Sequence, residues 1–159
     1  MLAARVLALA SGLWGGAAAA ECRADRVELR GDWGTAQFAV ELALTSQEQA
    51  RGLMFRESMP RMAGMLFVYD AEERTAFWMR NALIPLDMIF VDAEGRVVRV
   101  HDRAVPGDET PIPSGEPVLA VLEINGGLAE RLGIEPGDEL RSPVMPQDGA
   151  AWPCEAVAE

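Results

Sequence analysis

The chain has 159 residues, a formal net charge of −11, and fourteen basic residues that are all arginine. So large a negative surplus repels nucleic acid and anionic lipid, and argues against both as partners. The length suits one domain with a single core, and no apolar run reaches the roughly 20 residues of a membrane span.

Residues 1–20 read as a secretory signal. Arg5 supplies the positive start, residues 6–14 a short apolar stretch, and Ala18-Ala19-Ala20 the small-residue cleavage site before Glu21. Glu21 stands where a lipid-attachment motif wants a small residue, so Cys22 is not read as a lipid anchor. The expected product is periplasmic or secreted, with no stable membrane insertion. Its only cysteines, Cys22 and Cys154, lie at opposite ends of the mature chain, and such a pair bonds in an oxidising compartment. The chain-entropy model gives such a long closed loop at most about 5 kcal/mol. The expected organisation is a signal at 1–20, one β-rich domain at 21–145, and a tail at 146–159 tied by the disulfide.

Residues 35–44 alternate, with Phe38, Val40, Leu42 and Leu44 on one face and Gln37, Ala39, Glu41 and Ala43 on the other. That is the pattern of a half-buried strand. Thr45, followed three residues on by Glu48, is a capping box opening a short helix to about Arg51, with Gly52 as its stop. Strands are predicted at 64–69 and 75–79 around an acidic turn at 70–74. Strands at 87–91 and 96–101 flank Asp92-Ala93-Glu94-Gly95, a hairpin with glycine where a positive φ is needed.

Residues 102–117 hold Pro106, Pro111, Pro113 and Pro117 and no periodicity. A loop this long is either functional or mobile. Its prolines favour an ordered wrap near a site, with an inert surface loop as the alternative. Residues 118–124 are apolar on both faces apart from Glu123, which marks a central or doubly covered strand. A second short helix follows at 127–132, with Gly133 as its stop. Pro136-Gly137 then signals a type II turn before a last strand at 139–141. Short strands outnumber short helices. The fold class is mainly β: a compact antiparallel sandwich or partly open barrel with one or two short helices.

Residues 77–92 are the most informative stretch. They set Arg80, Asn81 and Asp87 inside an apolar run broken by Pro85. Buried polar groups need partners, so the run marks a polar network or the mouth of a site. Pro85 bends the chain so that Asn81 and Asp87 can face one place, where Arg51, Arg56 and Glu123 are expected to join them. Guanidinium groups bind carboxylate or phosphate bidentately. Two readings stay open: a ligand site, or a structural network in which Arg51 and Arg56 pair with Asp87 and Glu123.

Asp87 and Glu123 are also the pair on which a hydrolase reading would rest. Met59, Met62 and Met65 are spaced three apart, and thioethers suit Cu(I). Pro60 and Gly64 oppose the helix that would align them, and methionine is a common core filler. His101, beside Asp102, reads as a general base or as an ordinary surface residue. No nucleophile elbow, phosphate loop or zinc spacing appears, and no cofactor or metal is expected.

Five motifs occur in order: Arg51-Gly52-Leu53-Met54-Phe55-Arg56; Gly64-Met65-Leu66-Phe67; Phe77-Trp78-Met79-Arg80-Asn81 with Ile84-Pro85-Leu86-Asp87-Met88-Ile89-Phe90; Val121-Leu122-Glu123 with Asn125-Gly126-Gly127; and Gly137-Asp138. Together they resemble the domain-of-unknown-function family 192, over roughly residues 27–143. The resemblance implies a compact, mostly β single domain, often exported, with no established reaction, substrate or cofactor. Ala82 departs from the threonine often found there in the family, which removes a hydroxyl from the candidate site. The leading expectation is an exported, non-enzymatic binding or accessory module for a small anionic or polar ligand, or a protein segment. The alternatives are a hydrolase-like enzyme using Asp87 and Glu123 and, behind it, a methionine-based copper carrier.

Overall fold

Charged and apolar residues alternate from Arg26 to Arg30, and this short period-2 signal builds the first strand. In the computed structural model, which describes residues 22–154, β1 (Arg26–Gly31) buries Val27 and Leu29 completely. It forms an antiparallel hairpin with β2 (Gly34–Ala43). β1 is not among the strands predicted above; five alternating residues are a weak signal on their own. The predicted signal at 1–20 and the chain end at 155–159 lie outside the described residues.

The capping box forms as expected. Thr45 Oγ1 accepts from Glu48 N at 3.2 Å, Glu48 Oε2 accepts from Thr45 N at 2.9 Å, and α1 (Ser46–Arg51) follows. The helix and the segment after it carry the chain back across the sheet. β3 (Ala63–Glu73) therefore runs parallel to β2, with Val40 opposite Gly64 and Leu42 opposite Leu66. The mainly β class with a partly open barrel holds, and this one parallel pair departs from the antiparallel pairing expected and found in the other named strands. A parallel neighbour requires a long crossover, and residues 44–62 supply it.

The predicted strand at 75–79 contracts to β4 (Ala76–Phe77), which pairs only with β7 (Ile112–Pro113) from the proline-rich loop. β5 (Leu86–Val91) and β6 (Val97–Ala104) form the expected hairpin, with Gly95 at φ 84° and Asp92 Oδ1 accepting from Arg96 N at 2.7 Å. β8 (Val118–Asn125), α2 (Leu128–Leu132) and β9 (Glu139–Arg141) complete the chain.

The main sheet has the order β6-β5-β8-β3-β2-β1-β9 and curls into a half-barrel, with β4-β7 as a separate small sheet. β8 is central, as its doubly apolar pattern implied. Its two faces carry two cores. Leu122 and Ile124 pack with Val27, Phe38, Leu66, Ile89 and the α2 residues Leu128 and Ala129. On the other face Val121 packs with Met65, Phe67, Met88, Phe90 and Leu53.

The tail is bound by more than one link. Cys22 and Cys154 are disulfide-bonded with their Cα atoms 5.8 Å apart. Arg30 and Arg141 both stack on the Trp152 ring, 4.5 and 4.3 Å from its centroid. Ala151 N donates to Glu94 O at 2.8 Å.

Candidate functional site

Register decides which predicted site residues meet. In the β5–β8 pairing Asp87 stands opposite Ile124, and Met88 opposite Glu123. Cross-strand partners share a face and sequence neighbours do not. Asp87 and Glu123 therefore project from opposite faces of the sheet. They cannot flank one scissile bond, and the single cluster expected from the sequence is divided.

Asp87 is fully buried on the α2 side. Its Oδ1 accepts from Arg103 N at 2.8 Å and Gly127 N at 2.7 Å, and its Oδ2 from Ala129 N at 2.8 Å. The partners are backbone amides rather than the predicted arginine side chain. One carboxylate thus joins the end of β6 to the start of α2. The Arg103 side chain braces the same junction by bonding to Asp102 and Glu130.

Glu123 lies on the opposite face, 4% exposed. Its carboxyl has no hydrogen-bond or ion-pair partner among the described residues, although none of their sealed polar side-chain atoms lacks one. The carboxyl therefore opens onto space, and that space is a cavity of about 440 Å³. Burial pushes the Glu123 carboxyl up to about 8, so it is largely protonated at neutral pH.

Besides Glu123 of β8 and Leu86 of β5, three segments build the cavity. The end of α1 and the turn after it bring Arg51, Leu53 and Met54; β3 brings Phe67, Tyr69 and Glu73; the stretch through β4 brings Thr75, Phe77, Trp78, Met79 and Arg80. Phe77 meets Phe67 edge to face, with centroids 5.0 Å apart. The Tyr69 hydroxyl is 3.2 Å from Thr75 Oγ1. Burial raises the Tyr69 pKa, and the charges of Glu73 and Glu123 raise it further against the Thr75 hydrogen bond. Glu123 and the half-buried Tyr69 phenol therefore share the inner part of the cavity, and Glu73 stands exposed at its edge.

Three of the predicted cations take different positions. Arg51 is exposed at the cavity lip with no hydrogen-bond or ion-pair partner among the described residues. Arg80, also at the lip, lies 4.0 Å from Glu109 and 5.5 Å from the Trp78 ring. Arg56 pairs with Glu41 outside the cavity. Asn81 is exposed at φ 57°, and its contact to Met54 Sδ is a long 3.8 Å.

The proline-rich loop serves this wall. Asp108 O accepts from Met79 N at 2.8 Å, Met79 O accepts from Gly107 N at 2.9 Å, and β7 holds Phe77 through Ile112. Residues 102–117 are the ordered wrap expected from their prolines.

Met59 and Met65 belong to one core and Met62 to the other, so the three do not share a packing environment. His101 stands opposite Met88, which separates it from Glu123 in the next strand. Sequence reading missed Leu53, Tyr69, Phe77 and Trp78 as cavity walls. The one signal was Tyr69, the sole tyrosine, at the end of an apolar strand before an acidic turn.

A family model described as Uncharacterized ACR, domain-of-unknown-function family 192, matches residues 27–142. A crystal structure of a protein of unknown function from Novosphingobium aromaticivorans DSM 12444 is 52% identical, with a TM-score of 0.72, covering 73% of this chain and 83% of that one. A second, from Sinorhizobium meliloti 1021 and provisionally named a transcription regulator, is 40% identical with a TM-score of 0.72, covering 76% of this chain and 95% of that one. Comparison with curated proteins gives no match.

Proposed function

We propose that this chain, which belongs to domain-of-unknown-function family 192, is an exported binding module that holds a small, polar-headed molecule in the Glu123 cavity. The observation that carries the reading is the Glu123 carboxyl, buried, without a partner, and facing a cavity with aromatic and aliphatic walls. A buried polar group without a partner costs free energy, and a ligand that supplies the partner recovers it. The cavity volume falls in the range of small-molecule sites, and its mixed polar and apolar lining suits a polar-headed molecule.

The Cys22–Cys154 bond supports export, because structural disulfides persist in oxidising compartments. The provisional name of the Sinorhizobium relative is not carried over: a net charge of −11 opposes contact with a phosphate backbone.

The test is a thermal-shift screen of a pooled metabolite panel on the full mature chain. A ligand at a hundredfold excess over its Kd stabilises by about 2.7 kcal/mol. Hits should quench or shift Trp78 fluorescence and weaken in Glu123→Gln. A panel without hits, or hits indifferent to substitutions at Glu123 and Leu53, would sink the reading.

A protein segment is the second reading. Phe55, Trp78, Leu83 and Val105 are 66%, 47%, 52% and 62% exposed. They extend from the segments joined by the Phe55 N–Asn81 O and Gly107 N–Met79 O hydrogen bonds. Exposed apolar side chains on neighbouring segments suit a partner surface.

A further inference from the structure

One acid of the Glu123 cavity is buried, and its bases are exposed. Glu123 lies at the floor with the half-buried Tyr69 within reach of its charge, whereas the acid Glu73 is exposed. The bases Arg51 and Arg80 are exposed at the lip. Arg80 already has Glu109 and Trp78 as neighbours, whereas Arg51 has no hydrogen-bond or ion-pair partner among the described residues. Between floor and lip the walls are Phe67, Phe77, Trp78 and the aliphatic side chains.

Resting on the binding reading above, we propose that the ligand is a small organic zwitterion with its ammonium deepest, against Glu123, and its carboxylate at the lip, on Arg51. An ω-amino carboxylate is the simplest member of this class.

Each end follows from chemistry. An ammonium gives the floor carboxyl both a hydrogen-bond donor and an opposite charge, and aromatic faces attract a cation on its way there. A bare anion placed at the floor would meet Glu123 and the Tyr69 ring, with no cation contributing beside Glu123. A guanidinium exposed at the lip, in contact with no carboxylate and near only the charge of Glu41, is the complement of a carboxylate. An inorganic cation is a poorer fit, since no group of three His, Cys, Asp or Glu side chains is placed to hold one among the described residues.

Proton balance makes the inference measurable. At pH 7 the unliganded floor carboxyl carries its proton, because burial holds it near 8. Docking an ammonium ionises Glu123, and the proton leaves to solvent. The other titratable groups lining the cavity are the half-buried Tyr69 and the exposed Glu73 from β3, with the exposed Arg51 from α1 and Arg80 after β4 at the lip. Neither arginine appears among the causes of the Glu123 shift, which is burial.

The experiment is calorimetric titration of the full mature chain with four matched probes: 6-aminohexanoate, hexylamine, hexanoate and hexanamide. The expected order is 6-aminohexanoate first and hexylamine second, with hexanoate and hexanamide at least tenfold weaker. Repeating the titration at pH 7 in buffers of different ionisation enthalpy should give close to one proton released per 6-aminohexanoate. Affinity should rise roughly fiftyfold from pH 6 to pH 8, as release of nearly one proton requires. Arg51→Gln should weaken 6-aminohexanoate but not hexylamine, and Glu123→Gln should weaken both. Proton release needs no variant, so it decides the matter even if Glu123→Gln folds poorly.

Hexanoate or hexanamide binding as tightly as the amines, without proton release, would overturn the zwitterion while leaving the cavity a binding site. Silence of both amines at millimolar concentration would also overturn it. The binding reading itself falls only if the metabolite screen is silent as well.

Discussion

Two buried carboxyls, one strand apart and on opposite faces, divide structure from site at the residue scale. Asp87 is surrounded by donors and Glu123 by none. Asp87→Asn keeps one acceptor oxygen but turns an amide donor toward a backbone N–H. Charge-assisted hydrogen bonds contribute roughly 1.5–3 kcal/mol each, so a loss of about 2–3 kcal/mol is expected in denaturant unfolding. An unchanged midpoint would contradict the bracing role. Glu123→Gln should do the opposite at high pH. The folded-state pKa of about 8 lies above the ordinary 4.5, so between these values the native state holds a proton that the unfolded chain has lost. Stability contributed by this group is therefore full below about 4.5 and lost as pH rises toward 8, with a slope of up to about 1.4 kcal/mol per unit. The neutral isostere removes that slope, so the variant should match the wild type at pH 5 and exceed it at pH 8. Parallel stability–pH curves for the two proteins would refute the buried, unpartnered carboxyl.

At the scale of elements, the local signals were legible and the pairings were not. The capping box, the Gly95 hairpin and the central strand at 118–124 all follow from short-range chemistry, and all are present. The parallel β2–β3 neighbour was hidden because direction depends on where a crossover returns, which alternation does not encode. The same gap scattered the candidate site. Asp87 and Glu123 each invited a partner, but only register reveals that they face apart. Five of the named site residues were thus visible as unusual, while the aromatic walls read as ordinary core. Gly64 shows why the sheet is so tight there. A Cβ at this position would lie 2.4 Å from the Glu123 carbonyl oxygen and 3.1 Å from Ile124 Cγ2. Backbone cannot swing aside as a side-chain end does, so Gly64→Ala must push β3 from β8 at the cavity floor. Overpacking of this kind costs about 1–3 kcal/mol. The expected result is a lower denaturant midpoint together with altered Trp78 fluorescence, and a midpoint equal to the wild type would show that the strands have slack.

For the whole molecule, the chain closes on itself where β9 and the tail meet both β1 and the turn of the β5–β6 hairpin. β9 adds to β1, Arg30 and Arg141 stack on Trp152, and Cys22 is joined to Cys154 across a sequence separation of 132. The bond excludes from the unfolded ensemble every conformation in which the two ends part. For so long a loop the chain-entropy model gives about 5 kcal/mol as its upper limit, and removal of native disulfides typically costs 2–5 kcal/mol. The cost should fall toward the lower end here, because the tail keeps its arginine stack and the Ala151 N–Glu94 O hydrogen bond when the sulfurs are gone. The paired Cys22→Ser, Cys154→Ser variant should therefore unfold at a lower denaturant concentration by about 2–3 kcal/mol, yet keep the ligand response of the distant Glu123 cavity. Reductant should lower the wild type to the same midpoint and leave the variant where it is. Thiol titration of the unreduced, unfolded wild type should find almost no free sulfhydryl. Two reactive thiols per chain, or a wild type indifferent to reductant, would mean that the ends are held by packing alone.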